Sequence, residues 1–184
     1  ENQPILWWSP DPRTLLFPER LHVSRSLRKS LRRQTCHVTF DTAFEEVIRH
    51  CAVTPRTGQD GTWITNEMLH AYCELHRQGH AHSVEVWHGD ELAGGLYGVA
   101  IGAAFYGESM FSHRRDASKI ALVKLVDKLA AAGFLFIDCQ VVTDHLLSLG
   151  AETVDRTAFL RINRQAVGTA VRIDWKQTGE TNPQ

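Results

Sequence analysis

The 184-residue chain is short of several things, and each shortage removes a class of protein. It has no CxxC pair. Its four cysteines, Cys36, Cys51, Cys73 and Cys139, stand far apart, so they suggest reduced thiols in a cytosolic protein rather than a disulfide frame or a zinc ribbon. No apolar run approaches the length of a membrane span, and no signal peptide is evident. Net charge is nearly missing too, at −1, which argues against a protein that binds polyanions over its whole surface. One local shortage is more informative. From Arg20 to Phe40 there is no acidic residue, while Arg20, Arg25, Arg28, Lys29, Arg32 and Arg33 all fall in that stretch. A basic segment on an otherwise acidic body predicts a localised anionic partner.

What is present suits one globular domain, at 43% hydrophobic residues. Residues 1–20 hold four prolines and read as an irregular segment, with Trp7 and Trp8 as packing residues. SRSLRKSLRRQ predicts a short helix with Leu27 and Leu31 inward. Thr42 and Glu45 read as a capping box ahead of Phe44, Val47, Ile48 and Cys51, whose spacing predicts an amphipathic helix. A loop follows over 52–61. A second helix starts at Thr65 or Asn66, turns Met68, Leu69, Tyr72 and Leu75 inward, and stops at Gly79. HSVEVW, LAGGLYGVAI and GAAFYGESMF then predict a three-strand meander. A helix over 118–132, a strand over FLFIDCQV, a short helix near His145 and a last strand at TAFLRI complete the order. The tail from Gly168 reads as loosely held. This is an α+β or mixed α/β pattern, in the element order of the GCN5-related N-acetyltransferase fold.

Polar residues leave the ends of the most apolar strands. In FLFIDCQV a two-residue period puts Asp138 and Gln140 on one face and Cys139 on the other. Glu108 ends another apolar run in YGESMF. Two carboxylates and an amide converging in one cleft suit the orientation of a cation or the acceptance of a proton from an amine. An ion pair of Asp138 with an arginine such as Arg114, or a helix cap, is the structural alternative. Cys139 with His145 or His82 as a nucleophilic pair is the weaker reading, since a cysteine facing the core behaves as a small hydrophobe. His76, His80 and His82 straddle the helix stop at Gly79 and do not share a face, so no metal site is expected. Acetyl-CoA is disfavoured. The loop that would cradle its pyrophosphate reads SHRRDASK, with Ala117 and Lys119 where glycines would be expected.

PILWWSPDPR, GTWIT, GHAHSVEVW, GGLYGVA, ESMFS, ASK and DCQV with the following DH and SLGA resemble the bacterial leucyl/phenylalanyl-tRNA–protein transferase family, from about Pro4 to Arg161. The resemblance implies an acetyltransferase-like domain that uses aminoacyl-tRNA. It moves leucine or phenylalanine onto the N-terminal arginine or lysine of a protein, marking it for degradation in the cytoplasm, with no cofactor, metal or membrane. It implies that Asp138 and Gln140 are catalytic and that Glu108 helps to hold the basic acceptor. A side-chain pocket would come from Leu96, Phe105, Met110, Leu122, Leu125, Leu129 and Ile137. Trp63 and Tyr72 would lie near the terminal adenosine, and Arg25, Arg28, Lys29, Arg32 and Arg33 along the tRNA. Residues 1–20 would be the junction to an N-terminal module that the family carries and this chain does not. Residues 21–167 would be the catalytic domain and 168–184 a tail unlike the family ending. Thr143 stands where relatives often have asparagine. An acetyl-CoA-dependent enzyme and a non-enzymatic RNA-binding module are the competing readings.

Overall fold

The computed structural model describes residues 9–33, 35–55 and 62–176; Trp7 and Trp8 lie outside them. The chain runs β1 (Arg13–Leu16), a short 3-10 turn, α1 (Arg25–Arg32), β2 (His37–Phe40), α2 (Phe44–Val53) and α3 (Asn66–Arg77). It continues through β3 (Ala81–His88), β4 (Glu91–Ile101), β5 (Ala104–Ser112), α4 (Ala117–Ala132), β6 (Phe136–Gln140), α5 (Asp144–Ser148), β7 (Glu152–Val154) and α6 (Arg156–Val167). The strands form one mixed sheet in the order β2-β3-β4-β5-β6-β1-β7. The expected antiparallel meander is β3-β4-β5, and β6 joins β5 in parallel after the α4 crossover.

Helices cover both faces, so the central strands are buried in continuous runs rather than on alternate residues, β4 from Leu92 to Gly98. Leu122, Leu125, Val126 and Leu129 of α4 press on Val84, Leu96, Phe105 and Ile137, and Leu27 of α1 closes the edge of this layer. On the opposite face α2 buries Phe44, Val47, Ile48 and Cys51, as their spacing predicts, and α3 buries Leu69 against Tyr97. Phe159 of α6 covers Leu15 and Phe136. The helix signals hold well. Ser24 and Thr65 accept the capping bonds of α1 and α3, and Gly133 ends α4 in the left-handed region at φ 82°.

Several expectations are corrected. Residues 13–16 are not irregular: they form a strand between β6 and β7. TAFLRI is part of α6, because Asp155 caps it and Phe159, Ile162 and Ala166 follow the helical period. The Thr42–Glu45 capping box is absent. Glu85 is fully buried and needs donors, so Thr42 turns its hydroxyl to that carboxylate at 2.9 Å, beside Thr39 at 2.6 Å. Of the tail, residues 169–176 are held through Trp175, whose indole stacks on His82 with centroids 3.9 Å apart, and 177–184 lie outside the described residues. Strands β2 and β7, of four and three residues, are too short to show a period.

Candidate functional site

The parallel ladder between β5 and β6 is brief. It pairs Ala104 with Phe136, Phe105 with Ile137 and Tyr106 with Asp138, and then stops. Two features end it. On β5 the register with β4 passes from Gly98↔Gly107 to Tyr97↔Ser109, which leaves Glu108 as a bulged extra residue. On β6 the last residue, Gln140, adopts φ 58°, a left-handed conformation costly for a side-chain-bearing residue. The strands therefore part, and a cavity of about 380 Å³ opens between them.

Apolar groups form its floor: Leu96, Phe105, Met110, Leu122, Leu125 and Ile137. These are the expected pocket residues except Leu129, which is fully buried in the core one helical turn beyond Leu125. Polar groups form its rim, chiefly Glu108, Ser109, Gln140, Thr143 and His145. Val141 and Leu146 were not foreseen, and neither was His145 in this role. Val141 lies in the link after β6, and His145 and Leu146 on the five-residue helix α5, too short for its period to show which face is inward.

The expected sharing of one face by Asp138 and Gln140, with Cys139 opposite, does not hold. The left-handed turn at Gln140 breaks the alternation, so Cys139 and Gln140 both line the cavity and Asp138 does not. Asp138 is fully buried on the α6 side. Arg13 reaches both its oxygens, Nε at 3.0 and 3.1 Å and Nη2 at 2.7 Å. The ion pair considered for Asp138 therefore exists, with Arg13 as its partner; Arg114 pairs instead with Glu91 at 2.5 Å. The Gln140 backbone N–H donates to Asp138 Oδ1 at 2.9 Å. Its side-chain Nε2 donates to the Gly107 carbonyl at 2.7 Å, across the parted strands, which leaves Oε1 as the acceptor end of the amide.

Burial pushes the Glu108 carboxyl up from its ordinary range. The nearby Asp138 charge adds to this, while a hydrogen bond from Tyr72 and the charge of Arg13 oppose it. Burial and the neighbouring Glu108 raise the Tyr72 phenol, so it stays a donor. The Cys139 thiol is pushed up to about 12, by burial first and Asp138 second, so it is no nucleophile. Burial, followed by the charge of Lys119, lowers His145, which keeps its imidazole neutral near pH 7.

Trp63, Tyr72 and Tyr97 make a line of edge-to-face rings, at 6.3 and 5.2 Å, from the surface to the cavity wall. Trp63 is 38% exposed. Arg25, Arg28, Lys29, Arg32 and Arg33 are all exposed on or just after α1. Arg33 also borders a smaller hollow of about 160 Å³, shared with Arg114, Arg115 and the start of α4. There Asp116, not an open glycine turn, heads the helix and accepts from Ser30 at 2.9 Å. Among the described residues, no cluster of three His, Cys, Asp or Glu side chains is placed to hold a metal, and no helix is long and apolar enough to cross a membrane.

Comparison with known proteins adds the following. Residues 15–164 match the family model described as leucyl/phenylalanyl-tRNA protein transferase. The chain is 62% identical over 159 residues to a leucyl/phenylalanyl-tRNA–protein transferase of Pseudomonas fluorescens (strain Pf0-1), over 86% of this chain and 70% of that one. It is 58% identical over 176 residues to one of Anaeromyxobacter dehalogenans (strain 2CP-C), over 95% of this chain and 76% of the relative. Among solved structures, a conserved protein of unknown function from Staphylococcus epidermidis ATCC 12228 superimposes with a TM-score of 0.52 at 7% identity, over 78% of this chain and 57% of that one, and shares the fold. A GCN5-related N-acetyltransferase from Kribbella flavida gives a TM-score of 0.45 at 10% identity, over 78% of this chain and 54% of that one.

Proposed function

The chain belongs to the leucyl/phenylalanyl-tRNA protein transferase family, and from that premise we propose that it transfers leucine or phenylalanine from tRNA to a protein's N-terminal arginine or lysine, at the cleft where β5 and β6 part. One observation carries this reading. An apolar cavity of about 380 Å³ is rimmed by a carboxylate, Glu108, and an amide, Gln140. The floor suits a long apolar side chain. The rim suits an amine attached to a cationic residue.

The aminoacyl ester is already activated, so the step is aminolysis. The neutral α-amine nitrogen attacks the ester carbonyl carbon. The C–N bond forms, the bond to the ribose oxygen breaks, and the proton lost by the amine ends on that oxygen. An α-amine with a pKa near 8 supplies enough neutral form at cell pH. Gln140 Oε1 accepts a hydrogen bond from the amine and aims its lone pair. Glu108, ionised, holds the guanidinium or ammonium of the acceptor residue. Asp138 acts from beneath, through the Gln140 backbone. The rings of Trp63 and Tyr72 suit stacking on the terminal adenosine, and the exposed arginines of α1 suit the tRNA phosphates. Modification of this kind marks an acceptor for degradation, a cytoplasmic role.

Acetyl-CoA fits less well, because the Asp116 carboxylate sits at the helix head where a pyrophosphate would lie. The deciding experiment offers labelled leucyl-tRNA and labelled acetyl-CoA separately to one peptide with N-terminal arginine, and to its N-acetylated twin. Label from leucyl-tRNA alone, on the free peptide alone, is the expected result. Label from acetyl-CoA, or tRNA binding with no transfer at all, overturns the reading.

A further inference from the structure

We propose that Arg13 is a positioning residue for the transfer: its guanidinium fixes the Asp138 carboxylate, which fixes the turned backbone of Gln140 and so the amide that faces the cleft. This rests on the reading that the cleft between β5 and β6 is the transfer site.

The geometry is that of a relay of fixed contacts. Strand β1 runs antiparallel to β6 with Leu15 opposite Asp138 and Thr14 opposite Gln140, and its register slips between those two residues. Arg13 is thereby brought level with the Asp138 side chain. It makes three contacts of 2.7 to 3.1 Å with the two carboxylate oxygens. Such a fork fixes both the position and the plane of its partner, which a single ammonium does not. Arg13 is itself held, since its guanidinium lies 4.9 Å from the centre of the Phe159 ring of α6. Downstream, the left-handed backbone of Gln140 is tied by two bonds, to Asp138 Oδ1 and to the Gly107 carbonyl. Without Arg13 the carboxylate is a buried, uncompensated charge, free to rotate or to take up a proton, and the first of those ties loosens.

Arg13 also bears on the cleft through its charge. Glu108 faces Tyr72 from α3, Asp138 from β6 and Arg13 from β1, while Cys139 and His145 of α5 line the same cavity. In that set Arg13 is the group whose positive charge opposes the protonation of Glu108.

The test compares the unaltered chain with Arg13→Gln and Arg13→Lys, checking fold by circular dichroism. Transfer of leucine from leucyl-tRNA to an N-terminal-arginine peptide is followed against pH. Arg13→Lys keeps the charge and loses the fork, so kcat should fall about a hundredfold, the scale of a small misplacement, with KM for the tRNA within about twofold and the acid limb of the kcat/KM profile unmoved. Arg13→Gln should lose kcat as well and should also move that limb to higher pH. A folded Arg13→Lys with full kcat overturns the proposal. So does an unshifted limb in Arg13→Gln, or a rise in KM for tRNA that matches the loss in kcat. An unaltered chain that transfers nothing overturns the transfer reading and this proposal with it; a transferring chain indifferent to Arg13 overturns only the latter.

Discussion

At the scale of single residues, the proposed transfer turns on Glu108, Gln140 and Asp138, and they differ in how far sequence could place them. Glu108 carries the clearest pH signature. Its carboxyl is pushed up, chiefly by burial, so on the acid side it is neutral and attracts no cation, and as pH rises through the elevated pKa it becomes the anion that the proposed role requires to hold an arginine side chain. KM for an N-terminal-arginine peptide should therefore fall as pH rises through a value above the ordinary carboxylate range. Glu108→Gln should raise KM about tenfold or more and flatten that dependence. A Glu108→Gln enzyme whose KM tracks pH as the unaltered one does contradicts the role. That polar residues leave the end of a greasy strand was readable from FLFIDCQV. Which way each one points was not. Gln140 departs from strand geometry because two contacts outside its own strand, to Gly107 and to Asp138, make the left-handed form worthwhile. The partner of Asp138 lies 125 residues away in sequence. No local period reports such a pair.

At the scale of elements, α1 offers the sharpest contrast between a structural and a functional surface. Only Leu27 of its residues is buried, and Arg25, Arg28, Lys29 and Arg32 face solvent. Its basic residues have few acidic neighbours to satisfy; Arg28 bonds the backbone carbonyl of Val23 instead. A polyanion is the natural complement. Reversing Arg28 and Lys29 to glutamate should weaken tRNA binding. It should also reduce the slope of log affinity against log salt by about one to two, since each phosphate no longer neutralised changes that slope by about 0.7–0.9. Binding measured across a salt series checks this, and an unchanged slope removes α1 from the interface. Strong helices were readable here, since α2, α3 and α4 carry long apolar stripes, with Thr65 capping α3 and Gly133 ending α4. TAFLRI was not, because six residues fit a strand and a helix about equally and only the Asp155 cap and the later Ile162 and Ala166 decide it. The cavity floor as a pocket was implied by the family resemblance; the helical period alone showed only that Leu122 and Leu125 share the apolar stripe of α4. Of the rim, Glu108 and Gln140 were readable at the ends of apolar strands, whereas Thr143 and His145, which follow β6, were not.

At the scale of the whole molecule, the site exists because one sheet serves two ends. The meander and α4 make a half that is continuous in sequence and packed around one apolar cluster. The other half is assembled from segments distant in sequence: β1 near the start of the chain, β6 and β7 near its end. Between them the β5–β6 ladder runs for three residue pairs and stops, and the opening this leaves is the cavity. The proline-rich opening of the chain gave no hint that residues 13–16 would sit inside the sheet, because a four-residue strand has almost no pattern and its stability comes from the neighbours on either side. The most direct test of the account uses leucyl-tRNA carrying a photoreactive leucine through a stable amide link, with the crosslinked peptide identified by mass spectrometry. Crosslinks within the segments that carry Phe105, Met110, Leu122 and Leu125 are the predicted outcome. Crosslinks confined to α1 or α6, with none in the cleft between β5 and β6, would contradict it.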